Sequence, residues 1–176
     1  MLMKGGVKMS DNISIIGGAD IPTSVFLDGK LGMNWLNISG LIFVVLLLIP
    51  NIIYAIKMKN QKNQCSNKFM NVTEQIGRYG CMFLMVFNIG IAEFGFKSVG
   101  AFLVYLFGNM LLMISYWIIW MLYFNKPTYW KKMSLAAIPI CLFLLSGITM
   151  LHYLLIVFGI IFGIGHIYVT NKNRLD

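Results

Sequence analysis

Residues 133–169 read MSLAAIPICLFLLSGITMLHYLLIVFGIIFGIGHIYV, thirty-seven positions with no acidic or basic side chain apart from His152 and His166. As one helix, at 1.5 Å per residue, this stretch would be about 55 Å long. A bilayer core of ~30 Å is crossed by about 20 residues. The stretch therefore predicts two membrane helices, at about 133–149 and 152–169, turning near Gly147 to His152. Three further apolar runs of span length lie upstream, at about 36–56, 76–96 and 99–123, the last long enough to tilt.

The composition agrees. The chain has 176 residues, 59% of them hydrophobic and 11% charged, against about a quarter charged in soluble domains. That leaves too few polar groups to cover a water-soluble globule. Cys65, Cys81 and Cys141 share no close spacing, which disfavours a disulfide framework and a CxxC site. The expected fold is all-α, a polytopic bundle of about five transmembrane helices. Residues 1–35 form an extramembrane or re-entrant segment, 36–169 the membrane domain and 170–176 a cytoplasmic tail. No basic-flanked apolar run of signal-peptide type precedes the first span, so that span reads as a retained anchor.

Orientation follows from the basic residues, since Lys- and Arg-rich short loops stay cytoplasmic. Ten of the fourteen basic residues, among them Lys57, Lys62, Lys68, Lys126, Lys132 and Arg174, fall on one side of a five-span arrangement. The N-terminus is then outside, the C-terminus inside, and the expected location is the cell membrane. Trp117, Trp120, Tyr123, Tyr129 and Trp130 cluster around the third loop as an aromatic belt at the inner interface would. The net charge of +8 lies beside membrane segments without a recognition motif, so it reads as topology and contact with anionic lipid and not as nucleic-acid binding.

Helices in lipid associate through small and polar residues. Span two carries the stripe Gly77, Cys81, Met85, Asn88, Ala92 and Gly95, and span three carries Tyr105, Asn109, Leu112 and Tyr116. Asn88 and Asn109 come near mid-membrane, which predicts a hydrogen bond between them; structural glue and a polar substrate path are both open readings. Span five places His152, Ile156, Gly159, Gly163, His166 and Thr170 on one stripe. The histidines are 14 residues apart, about 21 Å along a helix, so they cannot share a metal ion and read as interfacial anchors. Glu93 and Lys97 have the favourable spacing for a helical ion pair and read either as that or as the mouth of a cation path. Pro139 should kink span four. Asn37 and Asn71 match the N-x-S/T pattern. With Glu93 the only acidic side chain assigned near a span, and no nucleophile elbow, phosphate loop or zinc-spaced set, an autonomous enzyme is not expected.

The segment Ile15 to Leu27, IIGGADIPTSVFL, has chemical character of its own. Gly17 and Gly18 allow a backbone bend, Asp20 supplies a carboxylate, and Thr23 and Ser24 supply hydroxyls. Such hard oxygen donors suit alkali cations, while a second reading has Asp20 capping a short helix begun by Pro22 and Thr23. The segment resembles the Gly-Gly-Ala-Asp-Gly-Pro-Thr signature of the beta subunit of sodium-translocating decarboxylases of the oxaloacetate and glutaconyl-CoA type. Gly17, Gly18, Ala19, Asp20, Pro22 and Thr23 match, and Ile21 replaces the family's glycine. The resemblance implies a re-entrant segment with Asp20 as a sodium ligand helped by Thr23 and Ser24, and sodium movement coupled to decarboxylation on partner subunits of a biotin-dependent complex. Two functions are thus expected from sequence: a sodium-binding or sodium-translocating component, or a non-catalytic scaffold, accessory or sensor subunit with other membrane subunits as partners.

Overall fold

The structure is a computed structural model that describes residues 36–57, 65–91 and 95–173. Five helices follow in order: α1 (Ile38–Lys57), α2 (Lys68–Val86), α3 (Val99–Asn125), α4 (Tyr129–Thr149) and α5 (Tyr153–Lys172). Four of them, α1, α3, α4 and α5, are long and apolar enough to cross a membrane. Large apolar side chains such as Ile42, Ile49, Phe107, Leu111, Ile160 and Ile164 are exposed on their outer faces. In water such faces would drive aggregation, but against acyl chains they cost nothing. The chain is an all-α helical bundle and a small membrane protein.

The helices alternate in direction. The Asn37 amide bonds Val86 O at 2.7 Å, joining the start of α1 to the end of α2. Glu74 of α2 lies against Gly165 of α5, and Gly77 against Phe162, so those two run antiparallel. Asn109 meets Ser146, and Lys131 donates to Leu122 O, which makes α3 and α4 antiparallel. Gly147 against Ile156 and Ile140 against Gly163 do the same for α4 and α5. As a result Lys57, Lys68, Lys126, Lys131, Lys132 and Lys172 gather at one end, while Lys97 alone among the described lysines lies toward the other.

α2 differs from the expected second span. It covers Lys68–Val86 rather than about 76–96, because Asn67 caps it by accepting from the Met70 amide and the chain turns extended at Phe87. The shift brings Lys68 and Glu74 into the same helix as Arg78 and leaves Asn88 beyond its end. The apolar run after Ile76 hid this, since hydropathy alone cannot register a helix whose first half is polar and only at Glu74 and Gly77 buried.

A tertiary contact accommodates the first of the two helical prolines. Pro50 lies inside α1 and has no N–H to give the Leu46 carbonyl. The Trp117 indole N–H of α3 donates to that carbonyl at 3.3 Å, the kind of rescue that makes proline tolerable in lipid. Pro139 is buried inside α4. Among the aromatics, Trp130 is exposed as a belt residue would be, but Trp120 and Tyr123 turn into the core. Asn37 accepts from the Gly40 amide at 3.0 Å and Asn71 donates to Cys65 O at 3.0 Å, so both amides have structural roles.

Candidate functional site: a cationic cavity inside the bundle

The α2–α5 crossing positions the first charged groups. At Gly77 an added Cβ would stand 2.6 Å from the Phe162 Cα, and at Gly165 it would stand 2.7 Å from the Glu74 amide nitrogen. Only glycine lets these backbones approach so closely. The approach presses Glu74 against His166, whose Nδ1 lies 2.8 Å from the carboxylate, and the imidazole stacks on Phe162 at 4.8 Å. Arg78, one turn on from Glu74, bonds the same carboxylate oxygen. Glu74 is buried and is the only acidic residue among those described.

Beside this pair lies a cavity of about 340 Å³ in the half of the bundle nearer the lysine-rich end. Arg78 and Met82 of α2 form one wall, and His166 and Thr170 of α5 adjoin them. α4 contributes Lys132, whose ammonium donates to Asn173 O, and below it Leu135, Ala136, Pro139 and Phe143. α1 supplies Leu47, Leu48, Asn51, Tyr54 and Ala55. α3 closes the cavity with Tyr116, Trp120 and Tyr123, where Tyr54 and Trp120 rings are 5.2 Å apart and Trp120 and Tyr123 are 5.6 Å apart, edge to face. Trp120 is 6% exposed, and its ring meets that of Tyr116 edge to face at 6.2 Å.

Among the described residues the lining thus carries two basic side chains, Arg78 and Lys132, no carboxylate, and an apolar floor toward the bundle centre. Arg78 sits ten residues into α2, about 15 Å from its start, and its guanidinium is half-buried against the Glu74 carboxylate. Lys132 has no described carboxylate facing it. The size falls in the ~300–1,000 Å³ range of small-ligand sites.

The residues singled out from sequence are distributed as follows. Asn109 is fully buried, but its Nδ2 donates to Ser146 Oγ at 3.0 Å on α4, not to α2, because α2 ends before Asn88. His152 is buried in the turn between α4 and α5, where Nδ1 accepts from the Leu155 amide at 3.2 Å and caps α5. Burial holds its pKa below the ordinary histidine value, against smaller upward contributions from backbone hydrogen bonding that includes Ile89. His166 is a ring partner of Glu74 and lines the cavity. His152 and His166 therefore serve opposite ends of α5. Glu93, Asp20, Thr23 and Ser24 lie outside the described residues, so the proposed sodium ligands are not part of this geometry. Among the described residues no three His, Cys, Asp or Glu side chains converge.

Sequence reasoning passed over Glu74 and Arg78, which were assigned with the cytoplasmic loop. Their i, i+4 spacing in the favourable Glu-to-Arg order was the available signal. What it lacked was a reason to place the pair inside a bundle, and that reason is Gly165 on a helix 90 residues away. Neither family models nor curated proteins nor solved structures give a match to this chain.

Proposed function

We propose that this chain is a non-catalytic membrane protein of the accessory or sensor class that works by binding a membrane-borne ligand in the cavity at its lysine-rich end. The single observation that carries the reading is a cavity of about 340 Å³ with charged and hydrogen-bonding groups above an apolar floor, inside a helical membrane bundle. Such a space matches a molecule that arrives from the bilayer with its polar part at the interface. The described residues that line the cavity include no paired carboxylates or activated nucleophile, and acyl or glycosyl chemistry requires such groups.

The test is thermal unfolding of purified protein in detergent with and without a total polar lipid extract. The native chain is expected to be stabilised, and Ala55→Trp, which places an indole in the cavity wall from an exposed position, is expected to lose the effect. An extract that leaves the native chain unchanged would falsify the proposal.

The sodium reading rests on the string Gly17 to Thr23, with Asp20, Thr23 and Ser24 as ligands. It assigns sodium binding to that segment and not to the cavity, whose Arg78 and Lys132 repel cations. Sodium-dependent stabilisation of the native chain that is lost in Asp20→Asn supports it, and equal behaviour of both proteins removes it. The cell membrane as location, with the lysine-rich end cytoplasmic, belongs to the same proposal.

A further inference from the structure

The chemistry of the cavity narrows its ligand. We infer that it binds an anionic single-chain amphiphile with a phosphate-type head group held by Arg78 and Lys132, its chain lying on the apolar floor; this rests on the ligand-binding reading above.

The argument begins with charge. Arg78 from α2 and Lys132 from α4 line one space, and no lining residue among those described is acidic. Glu74 bonds Arg78 on one side, yet a guanidinium has five donors and a single carboxylate oxygen uses few of them. Lys132 bonds only a neutral backbone carbonyl, Asn173 O, among the contacts described. The site as it stands is therefore positive, and a cationic or neutral head group would leave that charge uncompensated in a low-dielectric space.

The donors are numerous and come from several directions. Besides the two cations, the Trp120 indole N–H and the Tyr116 and Tyr123 hydroxyls belong to the same wall. A carboxylate offers two oxygens in one plane. A phosphate offers three or four arranged around a centre, which suits donors placed on separate helices, and arginine and lysine are the side chains that bind it.

The apolar side sets the rest of the molecule. Leu47, Met82, Phe143 and Phe162 line the floor nearer the bundle centre, and water or a free anion gains nothing from them. A volume of about 340 Å³ takes a head group with the beginning of one chain. The lysine-rich end places this head group at the membrane interface, where lipid phosphates reside.

The experiment measures thermal stabilisation and apparent Kd of the full chain in uncharged detergent with four probes: lysophosphatidic acid, lysophosphatidylcholine of the same chain, oleate and inorganic phosphate. Lysophosphatidic acid is expected to bind best. Arg78→Gln and Lys132→Gln are each expected to weaken it about tenfold, the effect of losing one charge-assisted contact, whereas Lys68→Gln, outside the cavity, and Arg78→Lys keep most of the affinity. Unliganded unfolding of each variant shows whether it has folded, and Lys132→Gln carries the test if Arg78→Gln has not. Equal binding of lysophosphatidylcholine or oleate overturns the phosphate assignment and leaves the ligand-binding reading standing. Inorganic phosphate binding as well as the lysolipid overturns the amphiphile. Tight lysolipid binding that is indifferent to both glutamine variants overturns the assigned contacts, and no response to any of the three amphiphiles overturns both readings.

Discussion

The α2–α5 crossing permits a sharp test through Gly77→Ala and Gly165→Ala. A methyl group at position 77 would lie 2.6 Å from the Phe162 Cα and backbone nitrogen, and one at 165 would lie 2.7 Å from the Glu74 amide. These obstacles are backbone atoms, so no side-chain rotation removes them. To reach an ordinary contact, the helices must separate by about 0.8 Å, and the 2.8 Å His166–Glu74 bond then stretches to about 3.6 Å, beyond hydrogen-bonding range. Overpacking of this kind costs about 1–3 kcal/mol, and a lost bond to a charged group adds about 1.5 kcal/mol or more. Alanine's helix propensity returns at most about 1 kcal/mol. The net loss is about 2 kcal/mol, which for a chain of this size lowers the unfolding midpoint by about 4–8 °C. The assay is thermal unfolding in detergent, followed by far-ultraviolet circular dichroism, with Gly100→Ala as the reference. There the nearest atom to an added Cβ is Ser98 Oγ at 3.8 Å, so the midpoint should hold or rise slightly. If Gly77→Ala and Gly165→Ala unfold at or above the native temperature, the helices do not meet through those glycines and the placement of Glu74 beside His166 is wrong.

Three further outcomes are expected. Asn109→Leu leaves the Ser146 hydroxyl without its buried partner and costs about 1 kcal/mol, part of which the double variant with Ser146→Ala recovers; strictly additive losses in this double-mutant cycle would show that the two do not interact. His152 has its folded pKa below the unfolded value of 6.5, so its contribution is present above pH 6.5 and is lost as the pH falls through 6.5 toward the folded value. The unfolding midpoint should therefore drop on acidification to about pH 5, less so in His152→Asn, which keeps a capping acceptor without titrating; an identical pH profile in both proteins refutes the cap. For topology, Trp130→Cys, at an exposed site by the lysine-rich end, should react with a membrane-impermeant maleimide only from the cytoplasmic face, and Ser98→Cys only from the opposite face. The reverse pattern inverts the orientation.

Much of the buried face of α3 was legible in advance, because Tyr105, Asn109 and Tyr116 recur at helical spacing among residues too polar to face lipid. All three are buried. For α5 the stripe was only half of the answer. Gly159 and Gly163 face α4 through Leu144 and Ile140, while Gly165 and Phe162 face α2, and a helix packed on two sides has no single interior stripe to read. The partner of Asn109 could not be read at all. A buried amide needs a partner, but Ser146 and Asn88 satisfy that need equally well on paper, and the choice follows from where α2 stops.

Sequence alone determined the solvent and the fold class. Twenty charges in 176 residues, with apolar runs of span length, leave no way to cover a soluble surface, and lipid obliges each run to satisfy its own backbone as a helix. The tertiary structure decided everything about the cavity. Arg78, Lys132, Trp120 and His166 belong to four different helices, and no local pattern relates them. The meeting of Arg78 and His166 depends on close approach of their helices at Gly77 and Gly165, because charge and spacing act along one helix while a site in a bundle is made by the distances between helices.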